Sequence, residues 1–352
     1  MARSPLLSRV LAGCTMGATL TGNQCPDNSG CQLWRGRLRR GDDAVSTESC
    51  RWEGEMAMSG SLRTGRQSMS AGLGPSRVRI VTDSSSDLLP SHARAIGVVV
   101  VPNWIMLDGQ ALRDGVEITA AQFYARLPHT STAPYTKPAS VEDFITAYQW
   151  LFGQGATEIL SVHLSAKLSR VVHNAAAARD ALAPAPIDVI DSRVSGIALW
   201  PAITRAAALA GLGAPLQYIH AQVIAILEHT RLYVMVESLE PLRRAGRIGR
   251  ARVLLGTLLD AHPILTIQQG EIAPVETARP RERAMRRMRD LVRDLGPLET
   301  LLICGTSIES IAEWESVLSE VYRGVIQKTW LGPTQGANTG PAIAVAAVMQ
   351  RS

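Results

Sequence analysis

Five consecutive residues, Asp83-Ser84-Ser85-Ser86-Asp87, carry hydroxyls or carboxylates directly after the apolar run Val78, Ile80 and Val81. Hydroxyls donate and accept hydrogen bonds, and carboxylates accept them or take up a proton. Such a cluster can grip a polar head group or serve acid–base chemistry, with Asp83 as a candidate base. Ser86 and Asp87 have a second reading, as caps of the helix that follows. The pattern recurs down the chain. Thr136-Lys-Pro-Ala-Ser140 and Leu164-Ser-Ala-Lys-Leu-Ser169 each precede a predicted helix, where free N–H groups and the helix dipole favour an anion. Thr136, Ser165 and Ser169 are candidate donors to a carboxylate or phosphate there, while Ser140 and Ser169 also fit as N-caps. Asp191-Ser192 and Ser195 end a further strand, and Asp191 is a second candidate base.

Arginine marks the later part of the chain. Arg243-Arg-Ala-Gly-Arg247 is a basic turn shaped by Gly246 and Gly249. The arginines between Arg279 and Arg293 are interleaved with Glu282 and Asp290, the pattern of a solvated helix face. A nucleic-acid surface is the rival reading of that helix. Gly332-Pro333 and Gly340-Pro341 bracket a loop containing Asn338 and Thr339 that is expected to bring its backbone close to something. No Walker A loop, dinucleotide glycine fingerprint, H-E-x-x-H or G-x-S-x-G occurs, and the seven His are scattered. Neither a metal nor a cofactor is expected.

The elements that must position these groups alternate. Strands are predicted at Val78–Thr82, Gly97–Ile105, Glu158–Val162 and Ile187–Ile190. Helices are predicted near Ser91–Ala95, from Thr119 to Leu127, from Ser140 to Phe152, from Ser169 to Leu182, and over Ser195–Ala210 and Pro215–His229. That order implies a parallel doubly wound sheet, whose ligands sit beyond the carboxyl ends of the strands. From Arg231 the predicted strands are Leu232–Val236, His262–Gln268, Glu271–Thr277, Thr300–Cys304 and Val325–Leu331. Helices are expected at Leu239–Ala245, Pro280–Leu295 and Ser307–Tyr322, with a last small-residue helix at Pro341–Gln350 capped by Thr339. Gln268-Gln-Gly-Glu271 reads as a hairpin turn, so this second sheet is expected to be mixed. The fold class is α/β with two α/β domains, 77–230 and 231–352. Residues 1–76 lack a sustained period and are expected to be a disordered or non-native extension, with Met58 and Met69 as candidate starts.

Charge and cysteine narrow the setting. The net charge is +5, but nine arginines against six acids fall within residues 1–76. The folded part is therefore nearly balanced, which does not favour a nucleic-acid partner. Four of the five cysteines (Cys14, Cys25, Cys31 and Cys50) also lie there in no zinc spacing, and Cys304 stands alone beyond them. Leu11-Ala-Gly-Cys14 resembles a lipoprotein cleavage box, but Arg9 interrupts the short apolar region before it. No stretch is long and apolar enough to span a bilayer, so a cytoplasmic protein without stable membrane insertion is expected.

Taken together, the motifs resemble the DegV family, fatty-acid-binding subunits of bacterial fatty acid kinase. The resemblance covers about Val78–Met349. It is carried by Thr82-Asp-Ser-Ser-Ser-Asp-Leu88, Thr136 with Ser140-Val-Glu-Asp-Phe144, Leu164-Ser-Ala-Lys-Leu-Ser169, and Asp191-Ser192 with Ser195-Gly196. Leu242–Ile248, His262-Pro-Ile-Leu265, Gly270-Glu-Ile272, Arg279, and Gly332-Pro333 with Thr339-Gly-Pro341 complete it. It implies two α/β domains enclosing a long-chain fatty acid, whose carboxylate is phosphorylated by a separate ATP-dependent kinase subunit in phospholipid metabolism. It also implies that this chain is not itself an enzyme. Carried over by position, Thr136 and Ser165 would hold the carboxylate, with Ser84, Ser85, Ser169, Asn338 and Thr339 around it. Arg247, Arg279 and one of Arg243 or Arg244 would face the kinase and the phosphoryl group. The chain departs from the pattern at Ala166, Arg170-Val171 and Ala245, and at Asn338, where the family has His. Asn can donate a hydrogen bond but carries no charge. The alternative is an enzyme acting on a small anionic substrate in the same hydroxyl-lined cleft.

Overall fold

The computed structural model describes residues 78–255 and 261–350. The expectation for residues 1–76 lies outside them. Strand β1 (Val78–Asp83) opens the described chain, followed by α1 (Pro90–Ala95), β2 (Val98–Val101), β3 (Trp104–Leu107), β4 (Gln110–Arg113) and α2 (Ala120–Arg126). Then come β5 (Tyr135–Lys137), α3 (Val141–Gly153), β6 (Glu158–His163), α4 (Val171–Ala181), β7 (Ile187–Asp191), α5 (Trp200–Gly211) and α6 (Leu216–Glu228).

The first sheet has the order β2-β1-β6-β7 and is parallel throughout. Its strands are short runs of Val, Ile and Leu because helices cover both faces. From β1 the chain steps to β2 on one side and later returns to β6 on the other. The order therefore reverses between β1 and β6, and the loops after Asp83 and His163 flank the crevice this creates. Helix α3 starts in a capping box, Ser140 with Asp143, and turns Phe144, Tyr148 and Leu151 into the core at one-turn spacing.

The predicted strand Gly97–Ile105 is two strands in two sheets. Pro102 has no N–H for a ladder, and Asn103 spends its polar atoms elsewhere. Its N–H donates to Ser84 Oγ, its Nδ2 to Asp83 Oδ1, and its Oδ1 accepts from the Ala139 N–H. Beyond it, β3 pairs antiparallel with β4 and with β5, so a small three-stranded sheet carries Thr136.

The remaining elements are β8 (Thr230–Val236), α7 (Glu240–Arg244), β9 (His262–Gln268), β10 (Glu271–Ala278), α8 (Arg281–Arg293), β11 (Leu298–Gly305), α9 (Ile308–Leu318), β12 (Ile326–Trp330), α10 (Pro333–Thr339) and β13 (Ala342–Met349). They build a mixed sheet in the order β10-β9-β8-β13-β11-β12, in which β11 and β12 run parallel and the other neighbours antiparallel. Helix α8 buries Ala284, Met285, Met288 and Val292, and its arginines face outward. Arg281 pairs with Glu313, Arg287 with Glu276 and Arg289 with Glu320, the solvated face that the charge pattern implied.

Two expectations at the end of the chain were wrong. Pro341–Gln350 is a strand, not a helix, and it lies inside the mixed sheet between β8 and β11. Its alanines suggest a helix by propensity, but alternate residues face two different cores. Ala344 and Ala346 meet one, while Ile343, Val345 and Ala347 meet the other. Tertiary burial overrides local preference here. The preceding loop contains a helix, α10, announced by Pro333 in its first turn and Gly340 at φ +67° after its end. Thr339 is thus the last residue of a helix rather than the cap of the next.

Ala346 is fully buried in β13. Ala346→Leu is expected to lower the unfolding free energy by about 1–3 kcal/mol through overpacking, measured by urea denaturation. An unchanged midpoint would contradict a strand buried on both faces.

Candidate functional site

Asp83 ends β1 and is completely buried. Its Oδ1 accepts from the Ser85 N–H at 2.9 Å, from Asn103 Nδ2 at 3.0 Å and from Ser85 Oγ. Its Oδ2 lies 2.8 Å from His163 Nδ1 at the end of β6. Burial pushes the Asp83 carboxyl up, but the hydrogen bonds and charge of His163 and the donors of Ser85 outweigh it. The group is held below its ordinary value. The chain of contacts continues inward. His163 Nε2 is 2.7 Å from Ser161 Oγ, which accepts from Tyr148 OH at 2.8 Å.

Ser161, His163 and Asp83 thus stand in the order of a hydrolytic triad. Ser161 is nevertheless fully buried, lies within β6 and does not line the cavity described below. The triad order is an internal brace. Asp83, engaged on both oxygens and held ionised, is a poor candidate base.

Asp87, in the loop after β1, and Asp114, directly after β4 of the three-stranded sheet, both hold α10. Asp87 sits at φ +57° after the turn Ser84–Ser86, and its Oδ1 accepts from the Gly332 N–H at 2.9 Å. It does not cap α1, whose N-cap position is Leu89. Two glycines make room for its carboxyl. A Cβ at Gly332 would come 2.7 Å from Asp87 Oδ1, and one at Gly196 would come 3.0 Å from Oδ2. Asp114 Oδ2 accepts from the Thr334 N–H at 3.1 Å and from Thr334 Oγ1 at 2.5 Å. Burial pushes the Asp87 carboxyl well above its ordinary range. Burial also raises Asp114, against the bonds from Thr334, to about 6.

A cavity opens beside this junction, with about 980 Å³ of empty space including open solvent at its mouth. One wall is the face of the mixed sheet (Leu232, Val234, Leu265 and Ile267), and Leu164 and Leu168 add to the apolar lining. The polar lining comes from the first-sheet loops, from β5 of the three-stranded sheet and from α10. Of the residues singled out in the sequence, Thr136, Ser169, Ser85, Asn338, Thr339 and Arg247 line it. Ser165 does not. Its hydroxyl donates to the Gly270 carbonyl at 2.7 Å and pins the β9–β10 turn instead. Ser84 also lies off the lining, with its Oγ accepting from the Asn103 N–H. Arg243 pairs with Glu240, and Arg244 and Arg279 are exposed outside the cavity. Arg247 donates to the carbonyls of Leu168 and Ala245 at the cavity wall.

The lining hydroxyls differ in what their protons are doing. Ser85 gives its proton to Asp83, and Thr339 gives its own to main-chain carbonyls. Thr136 Oγ1 instead receives a bond from Asn338 Nδ2 at 3.3 Å, and Ser169 Oγ receives one from the Val171 N–H at 3.3 Å. Those two keep a proton to offer. Ser195, noted in the sequence only as a strand-end hydroxyl, also lines the cavity, as does Gln335, which the sequence did not single out. Ser195 carried a signal, as one more hydroxyl beyond a strand end, whereas a lone Gln in a turn-rich loop carries none.

A family model described as "Uncharacterised protein, DegV family" matches residues 77–350. A DegV domain-containing protein of Listeria innocua is 28% identical over 75% of this chain and 95% of its own length. One of Streptomyces coelicolor is 29% identical over 78% of this chain and 99% of its own. Among solved structures, a fatty-acid-binding DegV family protein from Thermus thermophilus superposes with a TM-score of 0.72 at 28% identity, covering 78% of this chain and 100% of that one. DegV from Bacillus subtilis, described as a fatty acid binding protein, shares the fold with a TM-score of 0.70 at 24% identity, covering 78% of this chain and 99% of that one.

Asp114 predicts a pH dependence of stability. Its neutral form is favoured by the fold, so its contribution is complete below its ordinary 3.8 and is lost as pH rises through about 6. Asp83 has the opposite sign, but its window lies below the ordinary aspartate value. Between pH 7 and pH 5 the wild type should gain about 1 kcal/mol of stability over Asp114→Asn. Parallel curves in urea denaturation across that range would contradict the assignment.

Proposed function

We propose that this chain, which belongs to the DegV family, binds a long-chain fatty acid in the cavity beside α10 and presents its carboxylate to an ATP-dependent kinase subunit. The observation that carries the reading is one cavity with an apolar sheet face along one side and uncommitted hydroxyl protons along its polar rim. An acyl chain against Leu232, Val234, Leu265 and Ile267 would bury methylenes at about 0.8 kcal/mol each, enough to supply most of the affinity. Thr136 and Ser169 would then orient the head group without a buried counter-charge. Asp87 lines the same space, and burial favours its neutral form, which limits repulsion of a carboxylate.

In this reading the ligand lies at the junction of two α/β domains, and the chain supplies no catalytic group of its own. Arg247 at the cavity wall, with Arg243, Arg244 and Arg279 outside it, would meet the kinase and the transferred phosphoryl group. Asn338, where the resemblance places His, holds Thr136 by a neutral hydrogen bond. The cytoplasmic setting belongs to the same proposal. Among the described residues, no helix is long and apolar enough to cross a membrane.

Denaturing extraction of the purified protein should release about one acyl chain per molecule by mass spectrometry. Thr136→Val should weaken uptake of added oleate roughly 10-fold, the effect of losing one hydrogen bond to a charged group. A protein that neither carries nor takes up a fatty acid would overturn the proposal. Addition of a bacterial fatty acid kinase subunit and ATP to the loaded protein should yield acyl phosphate, and its failure to form would remove the kinase part alone.

A further inference from the structure

Two amide side chains one turn apart on α10, Gln335 and Asn338, make the same arrangement twice. Asn338 Nδ2 donates to the Thr334 carbonyl at 2.7 Å and to Thr136 Oγ1 at 3.3 Å. Gln335 Nε2 donates to the Ser85 carbonyl at 2.6 Å and to Ser195 Oγ at 2.8 Å. A main-chain carbonyl only accepts, so the atom touching it must be the amide nitrogen in each case. The second N–H of that nitrogen then points at a hydroxyl oxygen, and the hydroxyl must act as acceptor. Its own proton is released for another partner. Ser195 is 7% exposed and lines the cavity, and no acceptor for its proton is present among the described residues.

We propose that Ser195, oriented by Gln335, is a further hydrogen-bond donor to the ligand's head group beside Thr136 and Ser169, and that the Thr136 and Ser195 pair makes the cavity select an acid over an alcohol or ester of the same chain. The proposal rests on the reading that the cavity takes a fatty acid. Its chemical content is that two separate O–H donors suit a head with two acceptor oxygens. A carboxylate offers both oxygens with full charge. An alcohol offers one oxygen and brings a proton of its own, and a methyl ester offers weaker, neutral acceptors.

The backbone around Ser195 supports a shaped site. Ser195 is extended at φ −152° and ψ 162°, and Gly196 follows at φ +61°. A Cβ on Gly196 would come 3.0 Å from Asp87 Oδ2 and 3.7 Å from Gln335 Nε2. The glycine therefore lets the Ser195 backbone pass close to both groups, and Gln335 reaches over it. Gln335 also bridges Ser85 and Ser195, which come from loops after different strands of the parallel sheet, so it fixes the separation of those loops as well as the direction of the hydroxyl.

The test is the discrimination between oleate and oleyl alcohol, measured as the ratio of their dissociation constants by displacement of a fluorescent fatty acid. Ser195→Ala should weaken oleate roughly 10- to 100-fold, as for loss of a hydrogen bond to a charged group, and leave oleyl alcohol within about twofold. Gln335→Met, which keeps the volume and removes the donor, should lower the ratio in the same direction. Ser195→Thr retains a hydroxyl and should restore it. A Ser195→Ala protein that keeps the wild-type ratio, or loses both ligands equally, would overturn the inference. Wild-type protein that binds neither compound would instead overturn the fatty-acid reading on which it rests.

Discussion

A carboxylate buried away from bulk solvent must have its lone pairs met by donors, and Asp83 satisfies that requirement with residues from several separate elements. Ser85 and Asn103 meet one oxygen and His163 the other. Removing any one of them would leave charge uncompensated in a low-dielectric interior, a far larger cost than a surface hydrogen bond carries. The demand at Asp83 therefore fixes the loop after β1, the break between β2 and β3, and the end of β6 relative to one another. Tyr148, through Ser161 and His163, extends the same constraint to α3. The rim of the cavity is built outward from this point.

Helix α10 has little apolar surface of its own to bury and is held largely by polar contacts at its neighbours. Gly332 bonds to Asp87, Thr334 to Asp114, Gln335 to the Ser85 carbonyl and Ser195, and Asn338 to Thr136. Together these contacts join the end of the mixed sheet to the loops after β1 and β7 of the parallel sheet and to β5 and the end of β4 in the three-stranded sheet. Burial holds Asp87 and Asp114 toward their neutral forms, so the junction tolerates three nearby aspartates. In the proposed reading this division of labour separates two jobs. The sheet face supplies affinity through area, and the junction supplies orientation through direction.

The parallel sheet was legible because its strands are continuous apolar runs bounded by capping residues and hydroxyls, as at Val78–Asp83 and Glu158–His163. The mixed character of the second sheet followed from the turn at Gln269-Gly270. Strand β13 was not legible, because Ala344, Ala346 and Ala347 carry no β preference and owe their conformation to neighbours on both sides. Among the site residues, Thr136 and Ser169 could be read from their places before helices. Ser165 could not be separated from them, because its hydroxyl is drawn to Gly270, a partner 105 residues away. Gln335 was invisible for the same reason in reverse, since its meaning lies wholly in Ser85 and Ser195, which only the fold brings to it. His163 gave no signal beyond one more scattered His until β1 was paired with β6.

The most direct measurement is the position of the ligand itself, from a crystal structure of the protein with oleate. The account predicts one carboxyl oxygen within hydrogen-bond distance of Thr136 Oγ1, the head beside α10, and the acyl chain laid along Leu232, Val234 and Leu265. An acyl chain lodged elsewhere, or a head group pointing away from α10 with Thr136 bonded to water, would contradict it.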